Sequence, residues 1–487
     1  MPVPELTQTA SRYGNFIGGG TRPSRAGDEY ERRNPANPEE VVGQFAASDE
    51  YDVEDAVVAA SGAQPGWAAT PAPARGRFLA AAARALESRL EQVAQDMTRE
   101  MGKPLREARG EVARGAAILD FYAGEGQRPL GEVYEQSASG NPIYTMRRPV
   151  GVTGLITPWN FPAAIPLWKL GPALAYGNAV VLKLALDSPR TGLHIAECFA
   201  EAGLPPGVLN VLTGPGSTAG AALVRDERLE AISFTGSVEV GTAIRDSVTS
   251  RGTRVQLELG GQNPLIVAAD ARLDAAVDAA YAGAFWSPGQ KCTATRRIYV
   301  QDAIYDAFRE RFLARIASGR VGDPADPLTE VGPLVNERQC DDVLAAIERG
   351  RGEGGTVIAG GERLDRDGYF VAPTVFEDVA DESFLSCEEV FGPVTSLYRY
   401  SDLDDALRRA NAVRFGLAAS LYTQDVTNVQ RFVSELRAGI LHVNSQTAGA
   451  EAYVPFGGTK ASGFGPHEQG RAALEFYTDV VTVYHDA

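Results

Sequence analysis

Gly151-Val152-Thr153-Gly154-Leu155-Ile156, Ala179-Val180-Val181-Leu182, Val208-Leu209-Asn210-Val211-Leu212 and Ala231-Ile232-Ser233-Phe234 are four short apolar runs, each followed by a stretch with helical spacing. Short continuous apolar runs between helices are the mark of parallel strands buried on both faces. The fold class is therefore α/β, with a doubly wound sheet of the nucleotide-binding type. After Leu257-Glu258-Leu259-Gly260-Gly261 the alternation restarts, with Pro264-Leu265-Ile266-Val267, a helix over Leu273 to Phe285, a turn at Cys292 and Arg297-Ile298-Tyr299-Val300. It continues through Val394 to Tyr398 and Ala418 to Tyr422, which predicts a second α/β domain.

Upstream, residues 1 to about 50 read as strands and turns, punctuated by Gly18-Gly19-Gly20 and Asn34-Pro35-Ala36-Asn37-Pro38. The pattern becomes helical from Asp52. Apolar positions from Phe78 to Met101 recur at three and four, so Arg75 to Met101 is expected to be one amphipathic helix. Gly102-Lys103-Pro104 ends it, and a second helix runs through Tyr122. A polar interval, Gly131 to Asn141, leads into Ile143-Tyr144-Thr145-Met146, read as a projecting hairpin strand. The tail Val480 to Tyr484 is expected to pair outside its own domain.

At 487 residues the chain holds about three domains' worth of core at ~150 residues each. A net charge of -17 argues against nucleic acid or an anionic membrane as partner. Four scattered cysteines without a CxxC pair suit a reducing compartment, the cytoplasm, and give neither a disulfide framework nor a zinc site. The four histidines are equally dispersed, so no metal is expected. Met1 to Phe16 shows no signal peptide, and the apolar window Ile165 to Leu182 is broken by prolines, glycines and Lys169, so no membrane span is expected.

Five stretches carry candidate chemistry. Gly289-Gln290-Lys291-Cys292-Thr293 sets one cysteine in a Gly-containing turn, with Lys291 as an electropositive neighbour that favours the thiolate. A buried structural cysteine is the plain alternative. Thr157-Pro158-Trp159-Asn160-Phe161-Pro162 follows the first strand of the sheet and holds an amide donor suited to an oxyanion, or else a turn asparagine bonding local backbone. Glu258 ends an apolar strand, where burial raises a carboxylate toward usable basicity, unless it faces solvent. Phe234-Thr235-Gly236-Ser237 opens a helix whose first N–H groups suit a pyrophosphate, although Ser237 also reads as a simple N-cap. Gly214 to Gly220 has one residue too many for a GxGxxG fingerprint and reads equally as an ordinary loop entering a helix.

Taken together with Lys183, Glu389-Val390-Phe391-Gly392-Pro393 and Pro455-Phe456-Gly457-Gly458-Thr459-Lys460-Ala461-Ser462-Gly463, these stretches resemble the aldehyde dehydrogenase superfamily, in its order and over nearly the whole chain. The resemblance implies that Cys292 attacks an aldehyde, that Asn160 and the Cys292 N–H hold the oxyanion, and that Glu258 activates the water that hydrolyses a thioester. It places Lys183, Thr157, Trp159, Gly216, Gly236, Ser237, Leu259, Glu389 and Phe391 at the NAD(P) cofactor. It also implies a cofactor domain over residues 1–125 and 149–258, a catalytic domain over 259–465, and an oligomerisation element over 126–148 and 466–487 that builds a homodimer or homotetramer. Relatives that pass the acyl group to coenzyme A tend to lack the carboxylate at the Glu258 position, so a free acid is the expected product.

Where many NAD-using relatives carry Lys-Pro-x-Glu, this chain reads Lys183-Leu184-Ala185-Leu186. Leu186 removes a charge that would repel a 2'-phosphate, which favours NADP or dual use over NAD alone. The tracts Thr447 to Pro455, Gly465 to Arg471 and Gly289 to Thr295 look most like the 2-oxoglutaric semialdehyde (2,5-dioxopentanoate) dehydrogenase branch. Yet Ser445 to Tyr453 offers Glu451 and no cation for a substrate carboxylate. Phe161, Trp168 and Phe456 suit an apolar tunnel, so a broad aliphatic or aromatic aldehyde dehydrogenase is the alternative. A cofactor-free cysteine hydrolase would leave Lys183, Ser237 and Glu389 idle, and a non-catalytic relative would have little reason to keep Cys292.

Overall fold

The computed structural model describes residues 11–486. The first ten residues, where the leader-free start and the beginning of the cofactor domain were expected, lie outside the described residues. Five parallel strands form the centre of the first sheet, in the order Arg254–Glu258, Ala231–Thr235, Val152–Ile156, Ala179–Lys183, Leu209–Leu212. The three strands Ala231–Thr235, Val152–Ile156 and Ala179–Lys183 are buried at every residue, which is why their sequences run apolar without alternation. Asn15–Ile17 joins antiparallel at one edge and Gly463–Phe464 at the other.

The chain lays down Val152–Ile156, Ala179–Lys183 and Leu209–Leu212 in one direction, then returns to place Ala231–Thr235 on the opposite side of the first of them. Ligands of doubly wound sheets bind at the carboxyl ends of the strands where the order reverses. Thr157 and Gly236-Ser237 follow those two strand ends directly.

The second sheet runs Thr356–Ala359, Thr374–Glu377, Val394–Tyr400, Thr295–Gln301, Asn263–Val267, Ala418–Tyr422, Ile440–Val443. All neighbours are parallel except the first pair. A separate antiparallel sheet pairs Thr478–Tyr484 with Pro142–Pro149, and Pro142–Pro149 with Val133–Glu135. Pro142–Pro149 alternates exposed and partly buried residues, as a sheet covered on one face does.

The helix expected over Arg75 to Met101 is two helices, Ala72–Ser88 and Leu90–Met101. Arg89 leaves the helical path between them at φ -106° and ψ 9°. Its guanidinium reaches Glu197 at 3.1 Å and Glu201 at 2.6 Å. Leu86 and Leu90 still fall four apart, so the apolar period passes through the break. The following helix, Leu105–Glu125, extends past Tyr122 and lies against Ala164–Ala175. A Cβ at Gly115 would come within 2.5 Å of Leu167 Cδ1, so any side chain there requires the buried Leu167 to shift.

No helix among the described residues is long and apolar enough to cross a membrane. Gly115→Leu forces the two helices apart, and overpacking of this kind costs about 1–3 kcal/mol. Denaturant unfolding of that variant is expected to show the loss, and an unchanged midpoint would mean the helices do not depend on this contact.

Candidate active site

Cys292 sits on a braced turn between the helix Leu273–Phe285 and the strand Thr295–Gln301. Asn263, at the start of the neighbouring strand, donates its amide to the Cys292 carbonyl at 2.8 Å and the Ala294 carbonyl at 2.9 Å. The buried Arg296 guanidinium donates to Gly289 O at 2.5 Å and Gly392 O at 2.6 Å, tying the turn to the Glu389–Phe391 loop. Thr447 Oγ1 donates to Thr293 O at 2.7 Å and fixes the 445–453 tract on the same turn. The asparagine of the first loop arrives from the other side: Asn160 Nδ2 donates to Gln290 O at 3.0 Å, two residues before the cysteine.

The expected electropositive setting is not what this turn provides. Lys291 is buried and donates its ammonium to Ala282 O at 3.0 Å, and burial lowers its pKa to about 8. Cys292 is half-buried, and burial together with the Glu389 and Glu258 carboxylates pushes its thiol up to about 12. The backbone N–H groups of Thr293 and Cys292 oppose this only in part. The thiol is therefore neutral near pH 7 in the free protein.

Glu258 is buried, at 4% exposure, which excludes the solvent-facing reading. Burial first, then the charge of Glu468, raises its pKa well above the carboxylate range, while Lys169 and the Gly458 N–H lower it. Its Oε2 has no partner among the described residues. Lys169 pairs with Glu468 and donates to Ser233 Oγ at 2.7 Å beneath it.

Phe161, Trp168, Phe456 and Cys292 share one cavity of about 250 Å³. That is below the roughly 300–1,000 Å³ of drug-sized sites and suits a short substrate. The Trp168 and Phe456 rings lie 5.2 Å apart. Lys103, Glu111 and Arg114 line the same cavity from the neighbouring helix segment, and Gln446, Ala448, Gly449 and Ala450 from the later tract. Arg114, on Leu105–Glu125, brings a cation to this cavity, whereas the 445–453 tract brings none.

The other candidates stand outside this cavity. Thr157 and Lys183 are buried at strand ends, Gly236 follows the end of Ala231–Thr235, and Ser237 is exposed as the N-cap of Val238–Val248, accepting from Val240 N at 3.3 Å. Gly216 is exposed in a π-helical turn, Gly216–Gly220, so the Gly-rich run is neither a tight fingerprint nor an irregular loop. Leu259 is buried and donates its N–H to Ser462 O at 2.9 Å. Trp159 and Phe391 meet edge to face at 5.5 Å. Glu389 accepts from Gly261 N at 3.1 Å, and a Cβ at Gly260 would strike its carboxylate at 2.2 Å. Burial raises Glu389 to about 7.

This edge fits an acceptor-rich ligand. Thr157 Oγ1 and Thr235 Oγ1 are buried without partners, and the buried Lys183 ammonium makes no hydrogen bond or ion pair among the described residues. Burial lowers Lys183 to about 8. Ribose hydroxyls or phosphate oxygens would satisfy all three.

The sequence profile described as "Aldehyde dehydrogenase family" matches residues 22–483. The chain belongs to the aldehyde dehydrogenase family. It is an NAD(P)-dependent aldehyde dehydrogenase. It is 45% identical over 476 residues to the alpha-ketoglutaric semialdehyde dehydrogenase of Bacillus subtilis, covering 97% of this chain and 98% of the relative. It is 44% identical over 475 residues to the alpha-ketoglutarate semialdehyde dehydrogenase of Haloferax volcanii, covering 96% and 98%. Among solved structures, an NAD-dependent aldehyde dehydrogenase from Sinorhizobium meliloti superposes with a TM-score of 0.95 at 35% identity, covering 97% of this chain and 94% of that one.

Three side chains of this aldehyde dehydrogenase escaped the sequence reading. Lys103 reads as part of a helix stop, and Glu111 and Arg114 lie within the helix read through Tyr122, with no motif to mark them. The proline-asparagine loop gave no sign that Lys103 Nζ donates to Asn160 O at 2.7 Å.

Alkylation of Cys292 by iodoacetamide in cofactor-free enzyme is expected to climb with pH from about 7 to about 10 without levelling, because only the thiolate reacts. Peptide mass spectrometry reads the site. Levelling near about 8.5, the ordinary thiol value, would mean the carboxylates do not act on the sulfur.

Proposed function

We propose that the enzyme oxidises a short semialdehyde carrying a carboxylate, such as 2-oxoglutaric semialdehyde, to the free acid. The observation that carries the reading is one small cavity holding Cys292 in its wall beside unspent cationic charge. The two semialdehyde dehydrogenases to which the chain is 45% and 44% identical support it.

Cys292 gives up its thiol proton to water, and Sγ attacks the aldehyde carbon to form a thiohemiacetal, the carbonyl π pair moving onto the oxygen. The Asn160 amide, with one N–H on Gln290 O and one to spare, and the Cys292 N–H hold the oxyanion. NAD(P), when bound, supplies the two-electron acceptor that turns this adduct into a thioester. Glu258 takes a proton from water, and the hydroxide cleaves the thioester to the acid and the free thiol. The raised pKa of Glu258 makes it a stronger base than an exposed carboxylate.

Lys183, Thr157, Trp159, Gly216, Gly236, Ser237, Leu259, Glu389 and Phe391 would hold the cofactor. Asp187, the carboxylate nearest Leu186 in sequence, is taken up by Arg32 at 2.9 Å and Asn336 at 3.0 Å. This leaves Lys183 to attract a 2'-phosphate and supports NADP or dual use. Residues 1–125 and 149–258 form the cofactor domain and 259–465 the catalytic domain. Residues 126–148 and 466–487 join copies into a dimer or tetramer in the cytoplasm. Exposed Val133, Tyr134, Tyr144, Met146, Val480 and Tyr484 on the three-stranded sheet support that assembly.

A second reading, broad oxidation of uncharged aldehydes, draws on the Trp168–Phe456 contact in the cavity wall. Initial rates of reduced-nicotinamide formation with 2,5-dioxopentanoate and with pentanal, each with NAD and NADP, separate the two. The acid is expected to have the higher kcat/KM. A preference for pentanal would overturn the semialdehyde reading.

Glu258→Gln is expected to keep a burst of reduced nicotinamide but lose about 10²–10⁴-fold in steady turnover. Wild-type turnover should rise with pH as Glu258 loses its proton, and the variant should lose that rise. A variant whose burst and turnover fall together would place Glu258 before the thioester.

A further inference from the structure

We propose that Arg114 anchors the carboxylate of the substrate in the cavity that holds Cys292. The inference rests on the anionic-semialdehyde reading above and names the group that would bind the anion.

Three cationic side chains line the cavity. Lys103 is spent on Glu111 and the Asn160 carbonyl, with its ammonium 4.1 Å from the Phe161 ring centroid. Lys291 is turned onto Ala282 O. Arg114 has no carboxylate within ion-pair distance among the described residues. Its Nη2 has one contact, 3.5 Å to Gln469 Oε1, at the outer limit of a hydrogen bond. Among the described residues, its Nε is sealed from solvent without a partner, and Nη1 makes no hydrogen bond.

Glu111 lies one helical turn before Arg114, yet the two do not pair. Glu111 Oε1 accepts from Ala163 N at 2.9 Å and Ala164 N at 3.1 Å, and Oε2 takes the Lys103 ammonium. Burial lowers the Arg114 pKa, and Glu111, then Glu451 from an exposed position, oppose this through space without pairing. A half-buried guanidinium held without a counter-ion favours an incoming carboxylate, which the planar fork can grip with two parallel bonds.

Two other lining residues add donors. Trp168 Nε1 and Trp286 Nε1 are both buried and unpartnered. Against them, among the buried side-chain atoms of the described residues, the wall offers one unpartnered acceptor, Gln446 Oε1. The imbalance suits a ligand rich in acceptors, an oxo acid, and disfavours a quaternary ammonium aldehyde by charge.

The test uses the whole enzyme with its cofactor and compares wild type, Arg114→Met, Arg114→Gln and Arg114→Lys. Rates are taken on 2,5-dioxopentanoate and pentanal, and titration calorimetry follows glutarate, an unreactive dicarboxylate. Arg114→Met is expected to lower kcat/KM for the acid on the order of 10–100-fold, chiefly through KM, as loss of a charged hydrogen-bonding partner does. The acid-to-pentanal ratio should fall with it, Arg114→Lys should restore part of it, and glutarate should bind wild type but not Arg114→Met. Should Arg114→Met melt at a lower temperature, Arg114→Gln carries the comparison. If wild type prefers pentanal, the semialdehyde reading fails and the anchor fails with it. If wild type prefers the acid while the variants lower both substrates in proportion and still bind glutarate, the semialdehyde reading stands and the anchor is overturned.

Discussion

The carboxylate of Glu111 is the joint on which the site is hung. It reaches across from the helix Leu105–Glu125 to accept the first N–H groups of Ala164–Ala175, a helix whose own N-cap residue, Ala163, supplies no capping side chain. A negative charge at that end also suits the helix dipole. The same carboxylate holds the Lys103 ammonium, and that ammonium holds the Asn160 carbonyl. One buried group thus sets the loop that carries the amide donor, the helix that carries Trp168, and the spacing of Arg114 beside them. Taking either partner out of such a buried pair leaves an uncompensated charge, at a cost of about 3–5 kcal/mol.

Around the cysteine the charges are arranged for restraint. Glu389 and Glu258 both disfavour the thiolate, and the lysine next door in sequence is turned away into a helix carbonyl. A protonated thiol is slow toward alkylating agents and oxidants alike. The neighbours that hold the thiol quiet are the ones to which the proposed mechanism gives other tasks, Glu258 toward water and Glu389 toward the cofactor edge.

The sheets were legible because parallel strands covered on both faces leave unbroken apolar runs, and Val152–Ile156, Ala179–Lys183 and Ala231–Thr235 are buried throughout. The break at Arg89 was not, since Leu86 and Leu90 preserve the period across it. Cys292, Glu258 and Asn160 were readable as local motifs, and the fold brings them to one turn and its surroundings. The charge acting on Cys292 was not readable, because Glu258 and Glu389 reach it from distant parts of the chain. Arg114 was hidden for a related reason. On a helix that also carries Arg106 and Arg109, nothing local says that Arg114 is the arginine that lines the cavity.

The strand Gly463–Phe464 pairs with Leu257 and Glu258, at the far edge of the first sheet. Just before it, Thr459–Lys460 pairs with Phe415–Gly416, which leads into the second sheet. Ser462 clasps both, accepting Leu259 N–H at its carbonyl and Gly416 N–H at its hydroxyl. The placement of Glu258 is thereby written partly by residues some two hundred positions later. Recombination between diverged genes at the Gly260-Gly261 boundary would join a carboxylate from one parent to a clasp from the other. The two halves look like exchangeable cassettes along the chain, but this shared seam ties the position of Glu258 to both.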